Sequence, residues 1–259
     1  MQHFDLAVIG SGSGNSIIDH RFDDQRVALI ERDPVFGGTC LNRGCIPTKM
    51  LVHPADVVSA FEGADRLGIE QPRGTADWPA VRDRVFGRLD AISRSGLDWR
   101  ERSDNVTVFH GEASFVDPHT IAVGDEQLTA DRIVIATGSR PRLLDVPGAD
   151  ELADRIHTSD TVMRIDALPE RIVILGAGYV ALEFAHIFSS FGVDVTLVHR
   201  SDVVLRGADE DVSRAVATAL GQRVSLRLNQ RVSSFAEGPE GSVVVVTTDV
   251  NDVEYEYLA

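Results

Sequence analysis

The sequence predicts an α/β protein with two parallel β-sheets. Two apolar runs, residues 6–9 and 172–175, are each followed by a glycine-rich turn, a helical pattern and a second apolar run. Continuous apolar runs that alternate with helices are typical of parallel strands buried on both faces. Because a strand, a glycine-rich turn and a helix form the unit that binds dinucleotides, the repeat indicates two Rossmann-like dinucleotide-binding domains.

Composition and charge narrow the possible partners. A chain of 259 residues is long enough for one large domain or two smaller ones. Its net charge of −15 disfavours a nucleic acid or an anionic membrane surface as a partner. No stretch approaches the roughly 20 apolar residues of a membrane span, and no leader pattern opens the chain. We therefore expect a cytoplasmic location.

The remaining elements follow in order along the chain. The first domain is expected to continue with helices at 47–61 and 78–102, strands at 106–109 and 114–123, and a returning strand at 133–136. The polar, Pro-containing passage 139–150 is expected to connect a first domain, 1–145, to a second, 146–259. The second domain is expected to contain helices reaching about residue 191 and at 211–220, and strands at 195–198, 224–228, 243–248 and 253–258. The chain is then expected to end just before the last strand of the second sheet.

The first glycine-rich turn is the sequence GSGSG at residues 10–14. It follows a strand and opens a helix, where the backbone must approach a pyrophosphate closely. Glu31 ends the second strand about 20 residues later, where a carboxylate can accept hydrogen bonds from ribose hydroxyls. Asn15 occupies the third glycine position of the usual fingerprint, and an ordinary strand-to-helix turn is the alternative interpretation.

Residues 37–49, GGTCLNRGCIPTK, contain both cysteines of the chain, Cys40 and Cys45. Pro47 is typical of the first turn of a helix, and thiols at a helix N-terminus are expected to have depressed pKa values. A low thiol pKa suits disulfide exchange, which needs a thiolate. A zinc site would need further ligands, and a structural disulfide would be unstable in a reducing compartment. The pair is therefore predicted to be a redox pair, with those two interpretations as alternatives.

The second glycine-rich turn, GAGYVA at residues 176–181, is followed by a strand that ends near three cationic or titratable residues. An NAD site would place an acidic residue there, whereas this chain has His199 and Arg200, and then Arg206. Because a guanidinium can clamp a 2′-phosphate through paired hydrogen bonds, NADPH is the predicted cofactor. The alternative is that both arginines are solvated surface residues.

Two further motifs are interpreted as structural. His53-Pro54 is similar to a catalytic His-Pro pair but lies inside the helix after the cysteines, and Gly124-Asp125 lies in a hairpin turn.

The segment GGTCLNxGCIPTK resembles the signature of the pyridine-nucleotide disulfide oxidoreductases, a family that includes glutathione reductase and dihydrolipoyl dehydrogenase. The resemblance covers the whole chain, including Ala136-Thr137-Gly138 and the stretch GYVALE at 178–183. Residues 10–17, 85–92 and 157–164 are most similar to a branch whose members reduce the disulfide of mycothiol, and Asn15 is expected in that branch.

The resemblance implies roles for named residues. NADPH would reduce FAD, which would open the Cys40–Cys45 bridge; Cys45 would face the flavin and Cys40 would attack the substrate disulfide. Tyr179 would shield the flavin, and Lys49 would pair with Glu183 near it. The residues implied in FAD binding are Gly10, Ser11, Gly12, Gly14, Asn15, Glu31, Gly38, Thr39, Lys49, Gly111, Glu112, Ala113, Ala136, Thr137, Gly138, Ser139 and Arg140. The residues of the second domain implied in cofactor binding are Gly176, Gly178, Tyr179, Val180, Glu183, Arg200 and Arg206, of which Arg200 and Arg206 would hold the NADPH 2′-phosphate.

Members of this family are longer than this chain. They contain the rest of the FAD domain and a C-terminal interface domain that supplies an acid-base His-Glu pair across a homodimer. The chain has none of that part, so it is expected to be a fragment whose own activity is low. The predicted activity is NADPH-driven reduction of mycothione; the alternatives are a dihydrolipoyl dehydrogenase, a glutathione reductase-like enzyme, or a non-catalytic dinucleotide-binding fragment.

Overall fold

The structure, a computed structural model, describes residues 1–60, 62–68 and 74–259. In these residues the strands are β1 Gln2–Ile9, β2 Val27–Glu31, β3 Val106–His110, β4 Ala113–Asp117, β5 Thr120–Val123, β6 Glu126–Ile135, β7 Arg171–Leu175, β8 Asp194–Val198, β9 Ser225–Arg227, β10 Arg231–Glu237, β11 Val243–Thr248 and β12 Glu254–Leu258. The α-helices are α1 Gly38–Asn42, α2 Cys45–Ser59, α3 Trp78–Glu101, α4 Tyr179–Ser190 and α5 Glu210–Leu220. Short 3-10 helices lie at Ser13–Ile17, His20–Phe22, Ala64–Leu67, Val162–Arg164 and Pro239–Gly241.

The chain forms two compact units. Unit 1 consists of residues 1–47 and 84–140, and unit 2 of residues 48–83 and 141–259. The predicted domains, 1–145 for FAD and 146–259 for NADPH, stay a prediction, both in their boundary and in their cofactors.

Unit 1 is built on a six-stranded sheet in the order β3-β2-β1-β6-β5-β4. Strands β3, β2, β1 and β6 run parallel, whereas β4 and β5 add as an antiparallel hairpin. Ala28 and Ile30 of β2 pack into a core on one face of the sheet, while Val27 and Leu29 pack into a core on the other. This burial on both faces explains the continuous apolar runs in the sequence.

Unit 2 contains two three-stranded sheets. Strands β7, β8 and β9 are parallel, and β10, β11 and β12 are antiparallel. Helix α4 connects β7 to β8 and buries Phe184, Ile187 and Phe188. The antiparallel sheet packs Phe235 and Val245 into a core together with Leu152.

These sheets confirm the predicted α/β fold class, with differences in detail. Helix α2 begins at Cys45, two residues before the predicted start at Pro47, and is described to Ser59; its predicted end at residue 61 lies outside the described residues. Strand β6 begins at Glu126, earlier than predicted, because its first residues pair with β5 on one side and, from Leu128 onward, with β1 on the other. Strand β10 was not predicted. No helix in the described ranges has both the length and the apolar character that crossing a membrane requires.

Candidate functional site: the cysteine loop and the glycine-rich turns

The first glycine-rich turn packs tightly against the residue that follows β6. Gly10 has a φ of +114°, and a Cβ atom there would lie 2.3 Å from the carbonyl oxygen of Ala136. A Cβ atom at Gly14 would lie 2.2 Å from the Cβ of the same alanine. Larger residues do not fit, so the turn and the Ala136-Thr137-Gly138 segment, predicted separately from the sequence, form one feature in unit 1.

The cysteine loop meets this turn backbone to backbone. Gly38 has a φ of +67°, and a Cβ atom at this position would lie 2.5 Å from the Cα of Gly12. One residue earlier, the backbone N–H of Gly37 donates to the hydroxyl of Ser11 over 2.9 Å. The segment that begins the cysteine motif is therefore fixed directly on the turn predicted to hold a pyrophosphate.

Glu31 lies at the carboxyl end of β2, beside the turn. Its Oε2 accepts from the backbone N–H of Ser11 and its Oε1 from that of Asp33, each over 2.8 Å. Burial of this carboxyl would raise its pKa, but hydrogen bonds from Asp33 and Ser11 outweigh burial and lower the pKa. Glu31 is therefore an ionised carboxylate held in a fixed orientation.

The predicted residues after β3 lie next to Glu31. The backbone N–H of Gly111 donates to the Glu31 carbonyl over 2.9 Å. Glu112 accepts from Arg32 over 2.9 Å, and Ala113 begins β4. The structure thus places this predicted group at the carboxyl edge of the parallel sheet, where ligands of such folds bind.

Residues 137–140 follow β6 at the same edge. Gly138 has a φ of +68°, and Arg140 lies near Asp33, with its Nη2 3.5 Å from Oδ2. Arg43 from the cysteine loop contacts the same oxygen at 2.6 Å. Burial alone would raise the pKa of Asp33, but a hydrogen bond from Val35 and the bond and charge of Arg43 lower it. Asp33 therefore connects the loop to the segment after β6.

The two cysteines lie at adjacent helix starts. Cys40 is the third residue of α1 and Cys45 the first of α2; both thiols are free, Cys40 half-buried and Cys45 exposed. The hydrogen bond of Cys40 to Cys45, followed by burial and by the charge of Cys45, raises the pKa of Cys40 above its ordinary value. The expected pKa depression is therefore wrong for Cys40, because its neighbouring sulfur and its burial act against the thiolate. Thr39 precedes it in α1.

Two side chains converge on one carbonyl to fix the loop. Asn42, buried between the cysteines, donates through Nδ2 to the carbonyl of Phe36 over 2.9 Å and to that of Gly38 over 3.1 Å. Ser93 of α3 donates to the Phe36 carbonyl over 2.6 Å. The two glycines after Phe36 both have positive φ, and glycine has little intrinsic preference for one backbone conformation. These hydrogen bonds therefore fix the conformation of this stretch.

In unit 2, the predicted pair of Lys49 and Glu183 forms an ion pair. Lys49 lies one turn after Cys45 on α2, and its Nζ contacts Oε1 of Glu183 on α4. Tyr179 is the first residue of α4 and its side chain is largely exposed. Val180 is exposed beside it.

The second glycine-rich turn begins α4. Gly176 has a φ of +114° and Gly178 is the N-cap of the helix. Among the described residues, no heavy atom outside the immediate chain neighbours would lie within 4 Å of a Cβ at either glycine. The turn thus leaves its backbone open to a ligand at the N-terminus of a 12-residue helix.

The cationic residues after β8 lie near one another. Burial, followed by the positive charges of Arg200 and Arg206, lowers the pKa of His199. Both arginines are exposed. The charges of both arginines act on the His199 imidazole, and their recognition of a 2′-phosphate stays a prediction.

The two motifs interpreted as structural lie where they were predicted. His53 and Pro54 are inside α2, and Gly124-Asp125 forms the turn between β5 and β6. Within the described part of the chain, no three His, Cys, Asp or Glu side chains are grouped so that they could hold a metal ion.

Sequence reasoning missed the polar residues that brace the site from α3. Ser93 and Arg100 are buried on the face of α3 that also contains Phe86 and Leu89. Ser93 and Arg100 are spaced from these apolar residues by helical repeats, which places them on the inward face of α3. A polar residue at such an inward position is the sequence signal that could have identified them.

Comparisons with known proteins agree with this geometry. The family model described as pyridine nucleotide-disulphide oxidoreductase matches residues 4–259. Mycothione reductase of Mycobacterium tuberculosis is 44% identical over 241 residues, which cover 90% of this chain and 51% of that protein. Dihydrolipoyl dehydrogenase of Chlamydia pneumoniae is 34% identical, covering 100% of this chain and 56% of that protein. The Cu(II) complex of a mutant HOCl-induced flavoprotein disulfide reductase, RclA from Escherichia coli, superposes with a TM-score of 0.83 at 26% identity, covering 99% of this chain and 55% of that one.

The chain spans about half the length of the curated relatives it matches. With a family model that covers nearly all of its residues and the cysteine loop fixed on a glycine-rich turn, this chain belongs to the pyridine nucleotide-disulphide oxidoreductase family.

Proposed function

We propose that this chain is part of an FAD-dependent, NADPH-using disulfide reductase whose redox pair is Cys40 and Cys45 and whose substrate is mycothione. The observation that supports this proposal most directly is the close contact of Gly38 with Gly12. It joins the segment that holds the redox cysteines to the turn with the fingerprint of a dinucleotide-binding site. A redox disulfide beside a dinucleotide turn is the arrangement that electron transfer from a flavin requires.

The residues of unit 1 fit an FAD molecule. The first turn has no side chain at Gly10, Gly12 and Gly14, so a diphosphate could approach its backbone closely. Glu31 is ionised and fixed in orientation at the end of β2, where it could accept from ribose hydroxyls. Gly111 and Glu112 would contact the adenine side, and residues 136–140 would border the diphosphate. When bound, FAD would supply the transfer of an electron pair from NADPH to the disulfide.

The cysteines then divide the work of thiol–disulfide exchange. Cys40 Sγ, as a thiolate, attacks one sulfur of mycothione, which breaks the S–S bond and releases one mycothiol. Cys45 Sγ then attacks the Cys40 sulfur of the mixed disulfide, releasing the second mycothiol and restoring the Cys40–Cys45 bond. Because the pKa of Cys40 is raised, this thiol needs a base to take its proton before it attacks.

Unit 2 is proposed to bind NADPH. The diphosphate would lie at the second glycine-rich turn, where α4 begins at an open N-terminus. Arg200 and Arg206 would hold the 2′-phosphate, because their charges already lie close enough to act on His199. Tyr179, exposed at the first position of α4, would yield to the nicotinamide, and the Lys49–Glu183 pair would tune the flavin.

Mycothione is proposed over other disulfides because mycothione reductase, at 44% identity, is more similar to this chain than dihydrolipoyl dehydrogenase, at 34%. The cationic pair after β8 also distinguishes it from an NAD enzyme. The full-length parent is proposed to be a cytoplasmic homodimer. Faster turnover of lipoamide or glutathione disulfide than of mycothione by that parent would instead favour the rival activities.

The first test is the visible absorption spectrum of the purified 259-residue chain, before and after anaerobic NADPH. We expect a bound-flavin spectrum that develops long-wavelength absorbance from a thiolate–flavin interaction. Cys45→Ser is expected to remove this long-wavelength absorbance, because Cys45 is the cysteine proposed to face the flavin. Cys40→Ser keeps Cys45 and is expected to show the absorbance even without NADPH.

Two outcomes contradict the proposal. A chain that binds FAD but shows the same spectrum in both cysteine variants has no redox relay. A chain that remains colourless after incubation with FAD is a dinucleotide-fold fragment without the proposed cofactor.

A further inference from the structure

A buried arginine lies directly beneath the first glycine-rich turn. Arg100, near the end of α3, has only 4% of its surface exposed. Its Nη2 donates to the carbonyl oxygen of Asn15 over 2.9 Å and to that of Ile18 over 3.1 Å. Both carbonyls belong to the segment that immediately follows the turn, so one guanidinium group holds this segment to α3.

Within the part of the chain that the structure describes, no carboxylate lies within ion-pair distance of Arg100, and the acid next to it, Glu101, contacts His110 instead. The guanidinium carbon of Arg100 lies 4.2 Å from the centre of the Trp99 ring. Burial lowers the pKa of Arg100, as expected for a desolvated cation. A buried cation with carbonyl partners is costly, so its position calls for a use beyond packing.

The segment it holds is unusually short for a dinucleotide-binding turn. In unit 2 the glycine-rich turn continues into α4, whose 12 residues are anchored by buried phenylalanines. In unit 1 the turn continues only into the five-residue 3-10 helix Ser13–Ile17, which contains no buried residue. The last carbonyls of so short a helix lack donors from a following turn. Arg100 supplies a donor to the Ile18 carbonyl and a second donor to the Asn15 carbonyl, which also accepts from the backbone N–H of Ile18 over 3.2 Å.

We propose that Arg100 is a positioning residue that holds the Gly10–Gly14 turn in the conformation that accepts the diphosphate of a dinucleotide. It acts through the Asn15 and Ile18 carbonyls and replaces the long anchored helix that performs this task in unit 2. The proposal rests on the proposed FAD site in unit 1. It assigns to α3 a part in cofactor affinity, although no residue of α3 belongs to the glycine-rich motif.

The test compares Arg100→Ala with Arg94→Ala, which removes an exposed arginine from the same helix. The affinity of each purified chain is measured for FAD by quenching of flavin fluorescence, and for ADP, which has the diphosphate without the flavin, by calorimetry. We expect Arg100→Ala to weaken both ligands roughly tenfold to hundredfold, the effect of losing hydrogen bonds from a charged group. Arg94→Ala is expected to match the wild-type chain.

A purely structural role is separated by chemical rescue. Methylguanidinium at millimolar concentration should fill the space vacated in Arg100→Ala and restore part of the FAD affinity, with no effect on Arg94→Ala. Equal FAD affinity of Arg100→Ala and wild type, or a loss without rescue, overturns the proposal.

Arg100→Lys covers the case in which the alanine variant does not fold. An ammonium group keeps the charge but lacks the planar fork, so we expect a weaker loss of FAD affinity. Wild-type affinity in Arg100→Lys, or failure of both variants to fold, makes Arg100 a residue of fold stability and overturns the proposal. If the wild-type chain binds neither FAD nor ADP, the proposed function itself fails, and this result is distinct from a variant effect.

Discussion

Gly12 and Gly38 touch through their backbones: a single methyl group added to Gly38 would lie 2.5 Å from the Cα of Gly12. The contact unites two motifs that are 26 residues apart in the sequence, the glycine-rich turn after β1 and the loop that contains the cysteines. Both partners lack a side chain, and this absence allows the approach. The position of the redox pair relative to the turn therefore requires glycine, with no side chain, at both Gly12 and Gly38.

Gly38→Ala should separate these two segments. The new methyl group meets backbone, which cannot rotate away, and the residue has a φ of +67°. We expect a loss of roughly 1–3 kcal/mol in unfolding free energy from overpacking, with reduced FAD content. Urea unfolding followed by circular dichroism measures the first effect and absorbance the second.

Gly124→Ala is the matched control, since Gly124 also has a positive φ, +58°, but faces open space. It should show only the backbone cost of roughly 1–2 kcal/mol and unchanged FAD content. Equal FAD loss in the two variants would mean that the Gly12–Gly38 contact has no special role.

The reactivity of Cys40 should depend on Cys45. Because the hydrogen bond and charge of Cys45 favour the protonated form, Cys40 in the reduced chain should be alkylated slowly below its ordinary pKa of 9.0 and faster as pH rises. Cys45→Ala removes both influences and should move the pH midpoint downward. Mass spectrometry of iodoacetamide labelling across pH measures this midpoint.

Cys45→Ser separates the two causes in the same experiment. A serine hydroxyl can accept a hydrogen bond but stays uncharged, so the Cys40 midpoint should lie between those of wild type and Cys45→Ala. An unchanged midpoint in Cys45→Ala would refute the assigned cause.

Asn42 and Ser93 should stabilise the loop jointly, because both donate to the Phe36 carbonyl. Asn42→Ala and Ser93→Ala should each cost about 1–3 kcal/mol in unfolding free energy, since buried carbonyls lose donors. The double variant should not show the sum, and the difference, from a double-mutant cycle in urea, measures their coupling. Ser95→Ala, exposed on the same helix, should cost nothing; additive losses would show that the two donors act independently.

Replacing both Arg200 and Arg206 by serine should reduce NADPH affinity while sparing NADH. Each guanidinium is expected to contribute charge-assisted hydrogen bonds to the 2′-phosphate, so the loss should be roughly tenfold to hundredfold. Arg231→Ser, an exposed arginine elsewhere in unit 2, is the control. Titration calorimetry with 2′,5′-ADP measures the effect, and an unchanged affinity would assign both arginines to the solvated surface.

The same double variant should shift the titration of His199. The charges of the two arginines lower its pKa, so their removal should raise it, but only in part, since burial is the larger cause and remains. The protonated fraction of His199 at a given pH should therefore increase. Proton NMR of the imidazole across pH detects the change, and no shift would show that the arginine charges do not reach His199.

Local patterns made much of this architecture predictable. The apolar runs of β1, β2 and β8 are continuous because residues on both faces of these parallel strands are buried. Strand β10, by contrast, was missed: Arg231–Glu237 contains mostly polar residues, and it is a strand because its backbone pairs with β11. Its identity depends on a partner, which no local pattern reveals.

The sequence by itself determined the α/β class, the two glycine-rich turns, the cysteine pair and the family, because each of these is written in contiguous residues with fixed spacing. Only the tertiary structure decided what holds the cysteine loop and the first turn in place: for the loop, Gly38 against Gly12 with Asn42 and Ser93 on one carbonyl, and for the segment after the turn, Arg100. Most of these partners are 26 to 85 residues apart. Contacts of such separation follow from how sheets and helices pack, and no local spacing encodes them.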